Sequence, residues 1–245
     1  MWYAKAEKNS IPVNDNGKET VYFISDCRDV AKYNERFYFL TRHSIFCGED
    51  GKILFAEPLA STDADLIKVH GEIYVSSSDT GTIYQFSDCA KPIQAAKIGE
   101  HVSDFDIWEN KIYCVTFHDN KLVKLSDFKI EKEVALPLTP QRIIVKNRVF
   151  VLVNDGFFSK IISFDKELNF IREIIFPRQI GDIFYFSGKI IFSGLDFNYI
   201  LTEKLTILST KKSTGKILCS WADNPIILDD KVYSFDLTNN IIYPS

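Results

Sequence analysis

One short strand motif recurs six times along this chain: ERFYFLT from residue 35, GEIYVSS from 71, NKIYCVT from 110, NRVFVLV from 147, GKIIFSG from 188 and DKVYSFD from 230. The first apolar residue of each copy serves as an anchor. The anchors are Phe37, Ile73, Ile112, Val149, Ile190 and Val232, separated by 36, 39, 37, 41 and 42 residues. The position after the anchor is aromatic in five copies (Tyr38, Tyr74, Tyr113, Phe150 and Tyr233) and Ile191 in the other. Such even self-similarity limits the chain to an architecture that stacks one supersecondary unit many times.

The neighbours of each anchor strand repeat with it. An apolar strand precedes it, as in DLIKVH, DFDIWE, RIIVKN, DIFYFS and PIILDD, and a third strand follows, as in GTIYQFSD, NKLVKLSD, SKIISFDK, NYILTEK and NIIYPS. A fourth follows in most copies, as in KPIQAAKI, KIEKEVAL and NFIREIIF. The first copy reads as longer, reaching GKILFAEP only after a loop that contains Cys47 to Gly51. No long segment shows the i, i+3, i+4 apolar period of a helix. Four short antiparallel strands at a period near 40 residues predict an all-β fold: a six-bladed β-propeller. Its four-stranded blades start near residues 28, 64, 103, 140, 181 and 223, within a single domain over 1–245. A β-sandwich also spaces short strands, but it has no reason to repeat one motif in register.

The ends of the repeat suggest closure. The sixth copy stops at its third strand, NIIYPS, whereas ETVYFISD (19 to 26) stands where a fourth strand precedes the next copy. Residues 19 to 26 are therefore expected to pair near 240 to 244, completing the last blade and removing an exposed edge. Residues 1 to 13 are less constrained, with WYAKAE expected to pack on the outside. The unit, with its GTIYQFSD outer hairpin, resembles the six- and seven-bladed propellers of the YncE and NHL type over residues 19 to 245. It lacks the Gly-His and Trp-Asp dipeptides of WD-type repeats and the Gly-Gly pair of kelch. The resemblance implies a fold shared by enzymes, ligand binders and scaffolds alike.

Composition narrows the partner classes. A formal charge of -4 argues against nucleic acid and anionic membrane, both of which reward a basic surface. No run approaches the roughly 18 apolar residues of a spanning helix, and the first residues lack the apolar centre of a secretory signal. Five cysteines (Cys27, Cys47, Cys89, Cys114 and Cys219) form an odd set without CxxC spacing, as expected of reduced thiols in a cytoplasmic monomer.

Register picks out the candidate site. Eight residues before each anchor stand Asp29, Asp65, Asp104, Gln141, Asp182 and Asn224, every one an acid or an amide. Six residues after each anchor stand His43, Asp79, His118, Asp155, Asp196 and Thr238. In a propeller both sets emerge on one face, where the first strand of each blade starts at the central channel. Turn chemistry alone accounts for much of this pattern, because Asp and Asn bond local backbone amides. Phe157 and Phe158, with Phe117 and Phe197 near neighbouring turns, add aromatic rings to the same face. GxSxG, P-loop, HExxH and dinucleotide motifs are absent, and no catalytic residue is assigned.

Two functions fit these features. One is a non-catalytic binding or scaffold module that receives a protein, peptide or small molecule on the Asp-ring face. Its contacts would include the inner acids and amides with His43, His118 and Phe158. The other resembles the six-bladed gluconolactonase and paraoxonase group, a metal-dependent hydrolase or lactonase with a divalent cation at the channel mouth. There Asp29, Asp104, Asp182 and Asn224 would supply oxygen ligands to calcium or magnesium.

Overall fold

The computed structural model describes residues 2–4, 9–59, 63–177, 181–186, 188–212, 219–221, 224–228, 231–236 and 241–244. Trp2, Tyr3, Phe186 and the stretches beyond residue 212 are described as backbone only. The chain divides into two compact units, Met1–Val102 and Ser103–Ser245.

The first unit opens with a three-stranded antiparallel sheet of β1 (Trp2–Ala4), β2 (Ile11–Asp15) and β3 (Lys18–Tyr22). The first four-stranded sheet follows, with β4 (Cys27–Tyr33), β5 (Arg36–Thr41), β6 (Ser44–Glu49) and β7 (Lys52–Pro58) side by side in chain order. The second holds β8 (Ala64–His70), β9 (Glu72–Ser77), β10 (Thr82–Phe86) and β11 (Pro92–Lys97). The third starts with β12 (Val102–Trp108) and adds β13 (Lys111–Thr116), β14 (Lys121–Ser126) and β15 (Lys129–Ala135). The fourth has β16 (Thr139–Val145), β17 (Val149–Asn154), β18 (Phe158–Phe164) and β19 (Phe170–Pro177). The fifth has β20 (Gly181–Phe186), β21 (Lys189–Gly194), β22 (Phe197–Thr202) and β23 (Ile207–Lys212). The sixth is β24 (Cys219–Trp221), β25 (Asn224–Leu228), β26 (Lys231–Asp236) and β27 (Ile241–Pro244). Every pairing is a hairpin between consecutive strands, the antiparallel unit that the repeat implies.

Burial grades across each sheet. The second strands β5, β9, β13, β17 and β21 are buried on both faces along nearly their whole length, which is why they read as unbroken apolar runs. The fourth strands β7, β11, β15 and β23 are mostly exposed. Within each unit, neighbouring sheets cover these strands. Tyr38, Leu40 and Ile45 of the first sheet pack with Ile67, Val75 and Phe86 of the second. Tyr113 and Leu122 of the third pack with Val151 and Ile162 of the fourth, whose Phe150 and Leu152 pack with Ile190 and Phe192 of the fifth.

In two sheets the tyrosine after the anchor ties one sheet to the next. Tyr38 donates its hydroxyl to the carbonyl of Asp88 at 3.3 Å, in the turn between the third and fourth strands of the next sheet. Tyr113 does the same to Lys166 at 3.2 Å. The register between third and fourth strands shifts at the same place in five sheets, at Cys47/Gly48, Gln85/Phe86, Lys124/Leu125, Ser163/Phe164 and Ile200/Leu201. A bulge repeated at one position adds the local twist that lets successive sheets stack.

Two sequence expectations are corrected. Cys47 to Glu49 belong to β6, so GKILFAEP is the fourth strand of its sheet, reached through the tight turn at Asp50 and Gly51. Residues 18 to 22 pair with Ile11–Asp15 through the turn at Asn16 (φ 52°) and Gly17 (φ 88°), not with the strand near 240 to 244. Asn-Gly with both residues at positive φ is the two-residue turn whose twist matches a hairpin, and a local closure costs far less chain entropy than a distant one. The extra strand of the last sheet, β24, pairs with β25 from Cys219↔Ile227 to Trp221↔Asn224, at the edge opposite β27. Trp2 to Ala4 pair with Val13–Asp15 as β1.

The N-terminal sheet packs as the larger sheets do. Tyr22 is fully buried, its ring 4.7 Å from that of Phe39, and its hydroxyl accepts the Gly51 amide at 3.2 Å. Gly48 permits this approach, since a Cβ there would lie 2.4 Å from Tyr22 Cε1. Lys32 Nζ meets Asp15 Oδ2 at 2.6 Å beside the same contact. Tyr22→Ala should therefore cost about 3 kcal/mol or more in chemical denaturation. Phe23→Ala, at an adjacent ring that is 81% exposed, should change stability by less than about 0.5 kcal/mol. Equal and small effects would show that the N-terminal sheet is an appendage.

Candidate functional site

The innermost strand of each four-stranded sheet has one edge without a neighbour in its own sheet, and its buried amides still need acceptors. Carboxylates at the strand starts supply them. Asp29 accepts the Val30 amide on Oδ1 and the Ile67 amide, from the next sheet's first strand, on Oδ2, both at 2.9 Å. Asp104 repeats the arrangement with Phe105 at 2.8 Å and Ile143 at 2.9 Å. Asp106 repeats it two residues on, with Ile107 at 2.8 Å and Val145 at 2.7 Å. Asp182 accepts the Ile183 amide at 2.8 Å, and Arg142 Nε reaches its two oxygens at 3.1 and 3.3 Å. These ionic hydrogen bonds staple β8 to β4, β16 to β12 and β20 to β16.

Other inner positions form ion pairs. Arg28 Nη1 donates to Asp65 Oδ1 and lies 2.8 Å from Asp63 Oδ1, which Arg42 Nε approaches at 3.3 Å. Ser78 Oγ donates to Asp63 Oδ2 at 3.1 Å. Register breaks fall on the first strands at Arg28, Asp65 and Gln141, so the bulge aims these side chains off the regular alternation. The Asn224 side chain lies outside the described residues. Among the described residues, no three His, Cys, Asp or Glu side chains come together as a group able to hold a metal ion.

The sequence reading missed Asp106, Arg28, Arg42 and Asp63. Asp106 was findable: it stands two residues after Asp104 in DFD, hence on the same strand face. The arginines had no signal, because they fall at different offsets from their anchors.

The turns between second and third strands divide by unit. Those of the first two sheets are polar: His43 is exposed after Arg42, and Asp79 accepts the Ser77 hydroxyl. In the third to fifth sheets the same turns expose apolar side chains: Phe117 (39%), Phe157 (80%), Leu195 and Phe197 (40% each). Asp155 Oδ1 accepts the amides of Phe157 at 2.9 Å and Phe158 at 3.1 Å, a local turn that pushes the Phe157 ring outward while Phe158 is half-buried. His118 is exposed, its ring edge-on to Phe117 with centroids 5.2 Å apart. The first strands of these three sheets are tied in register by Asp104, Asp106 and Arg142, so the three turns sit at the same end of consecutive sheets.

The described thiols are not activated nucleophiles. Burial, with Asp29 adding, pushes Cys27 up to about 12, and burial pushes Cys47 up to about 11. Cys114 is fully buried and raised by burial too. Exposed Cys89 is raised by its hydrogen bond to Asp88. Among the described residues, no helix is long and apolar enough to cross a membrane.

Comparison with solved structures settles the fold. BBS1N in complex with ARL6DN is similar at a TM-score of 0.76 and 10% identity, over 93% of this chain and 84% of that one. Streptogramin B lyase matches at 0.70 and 13%, over 89% and 82%. The Pan2 WD40 domain of Neurospora crassa matches at 0.69 and 8%, over 86% and 76%. The fold is a β-propeller with six four-stranded antiparallel blades. No protein-family model matches the chain, and no curated protein matches it in sequence.

Two predictions follow from the inner strands. Asp104→Ala strands the Ile143 and Phe105 amides, and should lower unfolding free energy by about 1–3 kcal/mol in metal-free buffer. No loss there would dismiss the staple. Lys166 Nζ lies 3.7 Å from the centroid of the Trp108 ring, without a hydrogen-bond acceptor among the described residues. Burial lowers its amine from 10.5 to about 8, with Asp106 and Glu109 opposing and Lys146 adding. The folded state thus holds this proton less tightly than the unfolded chain. Its destabilising effect is full below about pH 8 and fades as pH rises to 10.5. Lys166→Met should raise the melting temperature at neutral pH and remove the gain in stability between those values; an unchanged pH profile would contradict it.

Proposed function

We propose that this propeller is a non-catalytic module that binds a protein partner at the exposed turns of its third to fifth blades. The observation that carries the proposal is Phe157, 80% exposed and flanked on the neighbouring blades by Phe117, Leu195 and Phe197. Water-facing aromatics at one end of three consecutive blades are costly unless something covers them, and aromatic side chains dominate interface energies. BBS1N, similar in fold, was crystallised with a second protein, ARL6DN, which supports a binding role for such a scaffold. The inner acids support it from the other side. Asp29 and Asp104 already hold backbone amides on both oxygens, which disfavours the metal-dependent hydrolase as their use.

The test starts from a photo-crosslinking side chain at position 157 in cells of the source organism, to identify the neighbour. Binding of that partner to the purified propeller should weaken at least tenfold, about 1.4 kcal/mol, in Phe157→Ala with Phe197→Ala. The melting temperature should move by no more than about 2 °C. A large fall in melting temperature would mark these rings as core and remove the interface.

A further inference from the structure

We propose that the edge of β1 is a second binding site, which takes up an extended segment of another polypeptide as an added strand. This edge belongs to the first unit, and the turns at Phe117, Phe157 and Phe197 belong to the second. The N-terminal sheet has the make-up of a blade without its first strand. The turn between β2 and β3 is Asn16-Gly17, with φ of 52° and 88°. It matches Asp50-Gly51, with φ of 49° and 77°, between the third and fourth strands of the first four-stranded sheet. Like the fourth strands β7 and β15, β3 is mostly exposed and leads through a short link to the next first strand. A buried apolar residue stands early in such links: Ile24 after β3, Ile98 after β11 and Leu136 after β15. Packing agrees, because Tyr22 meets Phe37 and Phe39 on one face of the first sheet, while Tyr38, Leu40 and Ile45 pack with the second sheet. Strands β1, β2 and β3 therefore correspond to second, third and fourth strands. Where the larger sheets carry a first strand, β1 has no pairing partner among the described residues.

The composition of β1 suits a strand paired on both sides. Edges that face water are blunted with charge or proline, because a bare edge pairs with any extended chain. The outermost strands carry these devices, as with Lys18 and Glu19 in β3, Glu57 and Pro58 in β7, and Lys211 and Lys212 in β23. Strand β1 is Trp2, Tyr3 and Ala4, with neither charge nor proline. Aromatic residues favour strands, and the backbone of such an edge offers a row of donors and acceptors for strand addition.

The first strands of the other sheets specify the occupant. Strands β4, β8, β12, β16 and β20 are six or seven residues long. Four of them place Asp directly before an apolar residue: Asp29-Val30, Asp65-Leu66, Asp104-Phe105 and Asp182-Ile183. In three of these pairs the carboxylate accepts the amide that follows it, so the strand brings its own cap for a backbone group at its start. The segment that fits beside β1 is thus an extended stretch of six or seven residues in which Asp precedes β-branched or aromatic side chains. Backbone hydrogen bonds to β1 supply its affinity, and alternate side chains its selectivity.

Amide exchange of the intact protein, read by NMR, tests this with synthetic peptides that copy residues 63–71 and 102–110, each added to about 1 mM. Amides of Trp2 to Ala4 should exchange about tenfold more slowly with peptide present, and the melting temperature should rise with peptide concentration. Methylating alternate backbone nitrogens of the peptide should abolish both effects in one register and spare them in the other, because a strand pairs through one edge at a time. Amides of Trp2 to Ala4 that are already slow in the protein alone, at every concentration, would show the edge to be paired within the chain and overturn the site. Slowing that needs no peptide and grows with protein concentration would make the occupant a second copy and overturn the separate polypeptide. No slowing with either peptide, or the same loss from methylation in both registers, would overturn strand addition.

Discussion

A sheet whose second strand is apolar on both faces must be covered on both faces. The buried strands β5, β9, β13, β17 and β21 impose that condition on the first five repeats. Neighbouring sheets supply the cover, so hydrophobic burial, the largest favourable contribution to folding, lies between sheets. Two polar devices then fix how they meet. A tyrosine hydroxyl reaches the next sheet's outer turn, as at Tyr38 and Tyr113. An aspartate staples the inner edge, as at Asp29, Asp104 and Asp106. Both satisfy groups that would otherwise be buried without partners.

This division of labour decides where function can reside. The inner acids recur because stacking recurs, and a residue repeated for a structural purpose is poorly placed to serve one ligand. The turns between second and third strands are under no such demand. They are polar in the first two sheets and aromatic in the third to fifth. Variation on an invariant frame is how a fold shared by enzymes and binding domains acquires a specific surface.

Where sequence reasoning went astray, a local interaction had been weighed too lightly. Asn16-Gly17 is a strong hairpin signal, yet ETVYFISD was read by its position relative to the repeat. The turn took Lys18 to Tyr22 into the N-terminal sheet. Asp50-Gly51 likewise makes β6 and β7 a tight hairpin, where the reading had placed a loop. Arg28 and Arg42 were invisible for a different reason: their importance lies in meeting Asp63 and Asp65, and no regular offset connects those four residues.

By itself the sequence determined the all-β class, the six repeats, their strand boundaries to within a few residues and the recurrence of an inner acid. All of these follow from side-chain periodicity, which is written along the chain. Tertiary structure alone decided what the acids do, because an amide such as that of Ile143 lies 39 residues from Asp104 and becomes its partner only when two sheets stack. It alone decided which phenylalanines face water as well. Phe150 and Phe157 are seven residues apart and equally apolar, yet stacking buries the first completely, while the Asp155 turn carries the second beyond the edge of the sheet.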